Sequence, residues 1–135
     1  MARIASFNRP FVILVTGDRE WTDFKSIMKI LATYQRKYTF IRVVHGDARG
    51  ADRLARDAAY ALGLSSDQVI PFPAEWDKYG KAAGPRRNRQ MFFESNPDVV
   101  LAFHDNLAKS KGTKDMVQLA TQQRTKVRYF KHKVA

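Results

Sequence analysis

The 135-residue chain has no cysteine. That excludes a disulfide framework, a thiol nucleophile and a thiolate metal site. Only three histidines are present, too few and too scattered to suggest a histidine metal centre, so neither a metal nor a cofactor is implied. Long apolar runs are also missing. The longest, Phe11 to Val15, falls far short of the roughly 20 residues that span a bilayer. The opening MARIASFNRP lacks the apolar stretch of a secretory signal, which points to a cytoplasmic location without membrane association. Negative charge is scarce: 13 Asp and Glu stand against 24 Lys and Arg, a formal net charge of +11. Apolar residues make up 44% of the chain, enough to argue against wholesale disorder. The length suits one domain, expected over residues 10–131, with short tails at 1–9 and 132–135.

The positive surplus lies mainly in the second half. Residues 1–75 hold 11 basic and 8 acidic residues; residues 76–135 hold 13 and 5. A balance of this kind predicts an anionic partner: nucleic acid, nucleotide or phosphate.

The apolar pattern alternates between two periods. FVILVTG (11–17), FIRVVHGD (40–47), DQVIPF (67–72), DVVLAFH (98–104) and VRYF (127–130) read as strands. Between them lie helical repeats. Phe24, Ile27, Met28, Leu31 and Tyr34 follow a Thr22 or Asp23 cap, and Ala51 to Leu62 is stopped by Gly63. A third helix is expected from about Pro85 to Ser95, and a fourth around Thr113 to Ala120, while residues 74–84 read as irregular. Strict alternation of strand and helix predicts an α/β fold. It is a Rossmann-like, doubly wound, mostly parallel five-stranded sheet with helices on both faces. Ligands of such sheets bind beyond the carboxyl ends of the strands.

Four segments follow those strand ends. In Thr16–Trp21, Gly17 allows close backbone approach, Arg19 can fork onto a phosphate, and Trp21 offers a stacking face. There is no GxGxxG, so a dinucleotide fingerprint is absent. In HGDARGAD (45–52), Gly46 and Gly50 open a helix whose N–H groups can face an anion. Asp47 or Asp52 can accept from ribose hydroxyls or simply cap that helix, and His45 reads more readily as a packed strand end than as a catalyst. Between Lys78 and Arg89 lie five basic residues and no acid. Arg86, Arg87 and Arg89 occupy a helix start, where the dipole is already positive, so an anion is called for. Last, in Ser110–Asp115, Gly112 and Thr113 open a helix, and Ser110 and Thr113 can bond phosphate oxygens. The full P-loop pattern is missing, which argues against a nucleoside triphosphatase, and no paired carboxylates suggest a glycan hydrolase.

Together, TGDREW, HGDARGAD, EWDKYGKAAGPRRNRQM and SKGTKDM resemble the YspA-related proteins of the SLOG superfamily over about residues 10–130. The superfamily takes its name from the Smf/DprA DNA-processing proteins and the LOG phosphoribohydrolases. The resemblance implies a Rossmann-like fold that binds nucleotides or nucleotide-derived ligands, and a bacterial or phage source. LOG enzymes cleave the N-glycosidic bond of a nucleoside monophosphate and carry ERKxxM followed by PGGxGTxEE. Against these, Arg87 takes the place of the functional Arg and Asp115 that of the first Glu. Asn88 replaces a Lys, Ser110 a Gly, and Met116 the second Glu.

The placement expected from these readings sets the phosphate against the Gly112–Thr113 helix start, with Arg86 or Arg87 neutralising it and Lys111 and Asn88 among the binding residues. The Gly46–Asp52 turn holds the ribose, and Trp21 or Trp76 covers the base. If catalysis accompanies binding, Asp115 and Arg87 serve N-glycosidic hydrolysis. The alternatives are a DprA-like single-stranded nucleic-acid module, for which the basic tail argues, and a non-catalytic nucleotide sensor. Homo-oligomers follow by analogy with LOG relatives.

Overall fold

A computed structural model describes residues 9–132. Five strands form one sheet: β1 (Phe11–Gly17), β2 (Ile41–His45), β3 (Val69–Pro71), β4 (Val99–Phe103) and β5 (Lys126–Phe130). All are parallel, in the order β3-β2-β1-β4-β5. Chain order therefore runs outward from β1 in both directions, and the switch point lies between β1 and β4.

The helices are α1 (Phe24–Lys37), α2 (Ala51–Ala61), α3 (Trp76–Tyr79), α4 (Ala83–Ser95) and α5 (Gly112–Gln122). Asp23 caps α1 by accepting from the Ser26 N–H at 3.1 Å. Gly63, at φ +89°, ends the α2 segment in a backbone conformation that favours glycine. The segment expected to be irregular instead contains the single turn α3 and a 3-10 turn, Gly80–Ala82. This brings the start of α4 forward to Ala83, with Pro85 still in the first turn, where its missing N–H costs nothing.

Alternate residues of the sheet feed two cores. Ile13, Val15, Val43, Leu101 and Phe103 pack with the α1 and α2 side chains Ile27, Leu31 and Ala55. Val12, Leu14, Val44 and Val100 pack with the α4 and α5 side chains Met91, Phe92, Met116 and Leu119. Burial on both faces explains the unbroken apolar runs of β1 and β4. Truncating one such side chain to Ala costs about 2–5 kcal/mol, so the cores fix where each strand ends. No helix among the described residues is long and apolar enough to cross a membrane.

Candidate functional site

A cavity of about 530 Å³ opens above the carboxyl ends of β1 and β4, at the switch point. Its size is that of a small-ligand site. The floor is Thr16 and Gly17 from β1 and His104 after β4; one wall is the start of α4, another the start of α5. Four cations, Arg19, Lys81, Arg87 and Lys111, line it against two carboxylates, Asp18 and Asp52.

Two strand-end loops build the rear of the site. The Asp18 carbonyl accepts from Ala51 N–H at 3.0 Å and from Trp21 N–H at 3.1 Å. Gly50, at φ +82°, packs directly on the Asp18 and Arg19 backbone, where a Cβ would collide with the Asp18 carbonyl oxygen and stand 2.5 Å from the Arg19 carbonyl. Gly17 is equally confined: a Cβ would stand 2.5 Å from the Phe103 carbonyl oxygen and 2.6 Å from Ala51 Cβ. The close approach these glycines permit is therefore chain to chain.

Asp52 lies behind this turn. Its Oδ2 accepts from the N–H groups of Gly46 at 3.0 Å and Ala48 at 3.4 Å. Those donors, with that of Ala51, are thus consumed within the protein rather than left for an anion. Burial raises the Asp52 carboxyl to about 6, against the pull of Arg87 and of its two N–H donors. Arg87 enters from α4 and donates to the carbonyls of Gly46 at 2.6 Å and Phe72 at 3.3 Å, while its Nε donates to Asn88 Oδ1 at 2.9 Å. Burial lowers the Arg87 pKa, opposed by Asp52. The next residue, Asn88, is buried and donates its amide to the Gly112 carbonyl at 3.1 Å and to Asp115 Oδ2 at 2.9 Å. It ties α4 to α5, the two helices that wall the cavity. Ser110 Oγ accepts from the Thr113 and Lys114 N–H groups at 3.0 and 3.3 Å, so it caps α5.

Of the residues expected from the sequence, Gly17, Arg19, Asp52, Arg87 and Asn88 line the cavity. So do Ser110, Lys111, Gly112 and Thr113. Six do not. Trp21 is only 2% exposed, edge-on to Phe103 and stacked on His132 at 3.8 Å, and so cannot stack on a ligand base. Gly46 lies behind Arg87. Asp47, at φ +55°, turns to Arg53 and Arg56. Gly50 is the loop contact described above. Arg86 stacks on Tyr79 at 3.9 Å, outside the cavity. Asp115 sits behind Asn88.

His45 is wholly buried, and burial holds its imidazole at about 4, hence neutral near pH 7. Its Nδ1 accepts from the Asp47 N–H at 3.0 Å. It therefore belongs to the loop, not to the cavity.

Sequence reasoning misses four polar residues of the lining, Asp18, Lys81, His104 and Thr16, together with Ala48, Gly84 and Pro85. Asp18 and Thr16 stand inside the first strand-end segment, which was the available signal. His104 ends the fourth apolar run; its Nδ1 accepts from the Asn106 N–H at 2.9 Å, and its Nε2 stands 3.9 Å from Asp18 Oδ2. Trp76, 47% exposed, forms the rim with Arg19, whose guanidinium carbon is 5.6 Å from the ring centroid.

Comparison with known proteins agrees with this architecture. The fold is similar to that of DNA processing protein A from Helicobacter pylori, a structure described for its single-stranded DNA binding mode. The TM-score is 0.68 at 15% identity, covering 95% of this chain and 68% of that one. In sequence the chain is 36% identical over 111 residues to the Gene 61 protein of Mycobacterium phage D29, covering 80% of this chain and 86% of that protein. The family model for YspA, cpYpsA-related SLOG proteins matches residues 11–79, from β1 to the end of α3. With that match, and the phage relative aligned over most of its length, the chain belongs to the YspA, cpYpsA-related SLOG family.

Proposed function

We propose that this protein binds a nucleotide or nucleotide-derived phosphorylated ligand in the cavity between β1 and β4. The observation that carries the reading is the cavity's composition at that place. Four cations face two carboxylates at the switch point of a parallel sheet, beside the N-terminus of the eleven-residue helix α5. The phosphate is assigned to Lys111, Gly112 and Thr113. Arg87 adds charge from the α4 side, with its Nη1 committed to the Gly46 and Phe72 carbonyls and its Nε to Asn88. Asp52 holds both N–H groups on Oδ2, which leaves Oδ1 as an acceptor for a sugar hydroxyl. Trp76 and Arg19 are placed to cover a base.

The same geometry favours binding over N-glycosidic hydrolysis through Asp115, which is separated from the cavity by Asn88. A hydrolase at this site would draw on Asp18 or Asp52, the carboxylates that line it. Kinship of fold with a single-stranded DNA-binding protein supports a second reading, in which the nucleotide belongs to a strand.

Calorimetric titration with a panel of nucleoside 5′-monophosphates tests the first reading. Binding of at least one, weakened at least tenfold by Lys111→Glu, is the expected result. No heat across the panel, with no nucleotide co-purifying in mass spectra, would overturn it.

A further inference from the structure

Three arginines begin α4, and the cavity uses only Arg87. Arg86 and Arg89 are exposed, and neither has an ion pair among the described residues. Both stand in the first two turns of a helix whose dipole already makes that end positive, so their charge is uncompensated. They do not simply point into solvent. They line a groove of about 410 Å³ between α4 and the segment after β3, with Tyr79 and Glu75 opposite. The Arg86 guanidinium carbon lies over the Tyr79 ring, 3.9 Å from its centroid, a contact that favours one direction for the side chain along the groove. Lys78 adds a further cation, 5.1 Å from the same ring. Glu75 is the groove's only carboxylate, and its charge acts on Lys78.

Arg87 lines both spaces. It is the partition between the cavity and the groove. We infer that the groove is a second phosphate site, so that the ligand class is one with two phosphoryl groups along a sugar–phosphate chain, one on each side of Arg87. The inference rests on the cavity taking the first phosphate. Two sources have this chemistry: a small nucleoside bisphosphate and a short single strand.

The test compares the wild-type protein with the Arg86→Gln/Arg89→Gln variant, whose changes are confined to exposed side chains. Each is titrated with a 5′-mononucleotide, the matching nucleoside 3′,5′-bisphosphate and a 5′-phosphorylated trinucleotide. Wild type should bind the trinucleotide at least tenfold tighter than the mononucleotide, since the second contact is intramolecular. The variant should lose that advantage while its mononucleotide affinity stays within twofold. The slope of log K against log salt for the trinucleotide should fall by about 0.7 for each phosphate that the variant no longer neutralises. A bisphosphate that matches the trinucleotide identifies a small ligand; one that matches the mononucleotide identifies a strand.

Equal weakening of all ligands, or no change in any, would overturn the second site. Trinucleotide binding that depends on Arg86 and Arg89, with no mononucleotide binding, would overturn the cavity reading and leave the groove standing. Arginine Nε–H resonances, followed with inorganic pyrophosphate as probe, read the groove by itself. Those of Arg86 and Arg89 should move, and their standing still would refute the inference whatever the cavity binds.

Discussion

The Arg87 guanidinium and the Gly46 carbonyl oxygen are 2.6 Å apart although 41 residues separate them in sequence. A second bond, to the Phe72 carbonyl, makes Arg87 the tie between α4 and the ends of β2 and β3. Its alignment with a functional family arginine and its role as a structural brace therefore coincide. Arg87→Ala should cost roughly 1.5–3 kcal/mol, the range for hydrogen bonds to a charged group, because two carbonyls are left without their donor. Arg87→Lys should recover less than half, since an ammonium cannot reproduce the planar fork. Urea unfolding reads both. An alanine variant as stable as wild type would show that the brace contributes nothing.

Two buried groups that flank the loop between β2 and α2 titrate in opposite senses. Asp52 rises from 3.8 to about 6 on folding, and His45 falls from 6.5 to about 4. Between those values the folded protein holds the Asp52 proton that the unfolded chain has released, so this group's contribution declines as pH rises towards 6. His45 works the other way. The unfolded chain is protonated there and the folded one is not, so its contribution grows with pH from 4 to 6.5. Each amounts to something on the order of 3 kcal/mol, and they largely cancel. Asp52→Asn should expose the histidine, giving stability that climbs from pH 4 to 6.5. His45→Gln should expose the aspartate, giving stability that falls over pH 4 to 6. Chemical denaturation at half-unit pH intervals distinguishes these slopes, and parallel profiles for the two variants would refute the opposition.

Much of this architecture is legible in the sequence because most of it follows from burial. β1 is apolar on both faces and ends in Gly17, so its limits, Phe11 and Gly17, can be read directly. β3 is shorter than its apolar run suggests because only Val69 to Pro71 reach the ladder beside β2. α3 has no periodicity to betray it, being one turn long. The site is less legible because strand order and side-chain direction are not local properties. Nothing near His104 says that β4 will lie next to β1, and only that adjacency brings His104 to Asp18. Trp21 has the chemistry of a base platform, but packing on Phe103 turns it inward.

The glycines separate the same two kinds of demand. Gly17→Ala places a methyl group against the Phe103 carbonyl and Ala51, both held by the sheet and by α2. Such overpacking should cost about 1–3 kcal/mol or more, read as a drop in the urea midpoint. A methyl group on Gly112 would meet nothing within 4 Å, and Gly112→Ala should leave the free protein within about 0.5 kcal/mol of wild type. If a phosphate lies on the α5 start, that same variant should still weaken nucleotide binding severalfold. Unchanged affinity would move the phosphate away from Gly112.

Asp115 offers the sharpest separation of alignment from geometry. Its Oδ2 receives the Asn88 amide at 2.9 Å, and Asn88 also donates to the Gly112 carbonyl. The carboxylate thus orients the asparagine that joins the α4 and α5 walls, while the asparagine keeps it from the cavity. Asp115→Asn can still present an amide oxygen to that donor, so nucleotide affinity should change less than threefold. Asn88→Asp should be far worse. It sets a carboxylate against Asp115 and against the Gly112 carbonyl and leaves both without their donor, while the Arg87 Nε–H still bonds the new charge, for a loss of about 1–3 kcal/mol at neutral pH. That loss should shrink as pH falls and the introduced carboxyl protonates, because the acid form regains one donor. Calorimetry on the first variant and denaturation of the second between pH 4 and 8 provide the check. A tenfold or greater loss of affinity in Asp115→Asn, without loss of stability, would return Asp115 to the ligand and displace Asp18 and Asp52 as the carboxylates that matter.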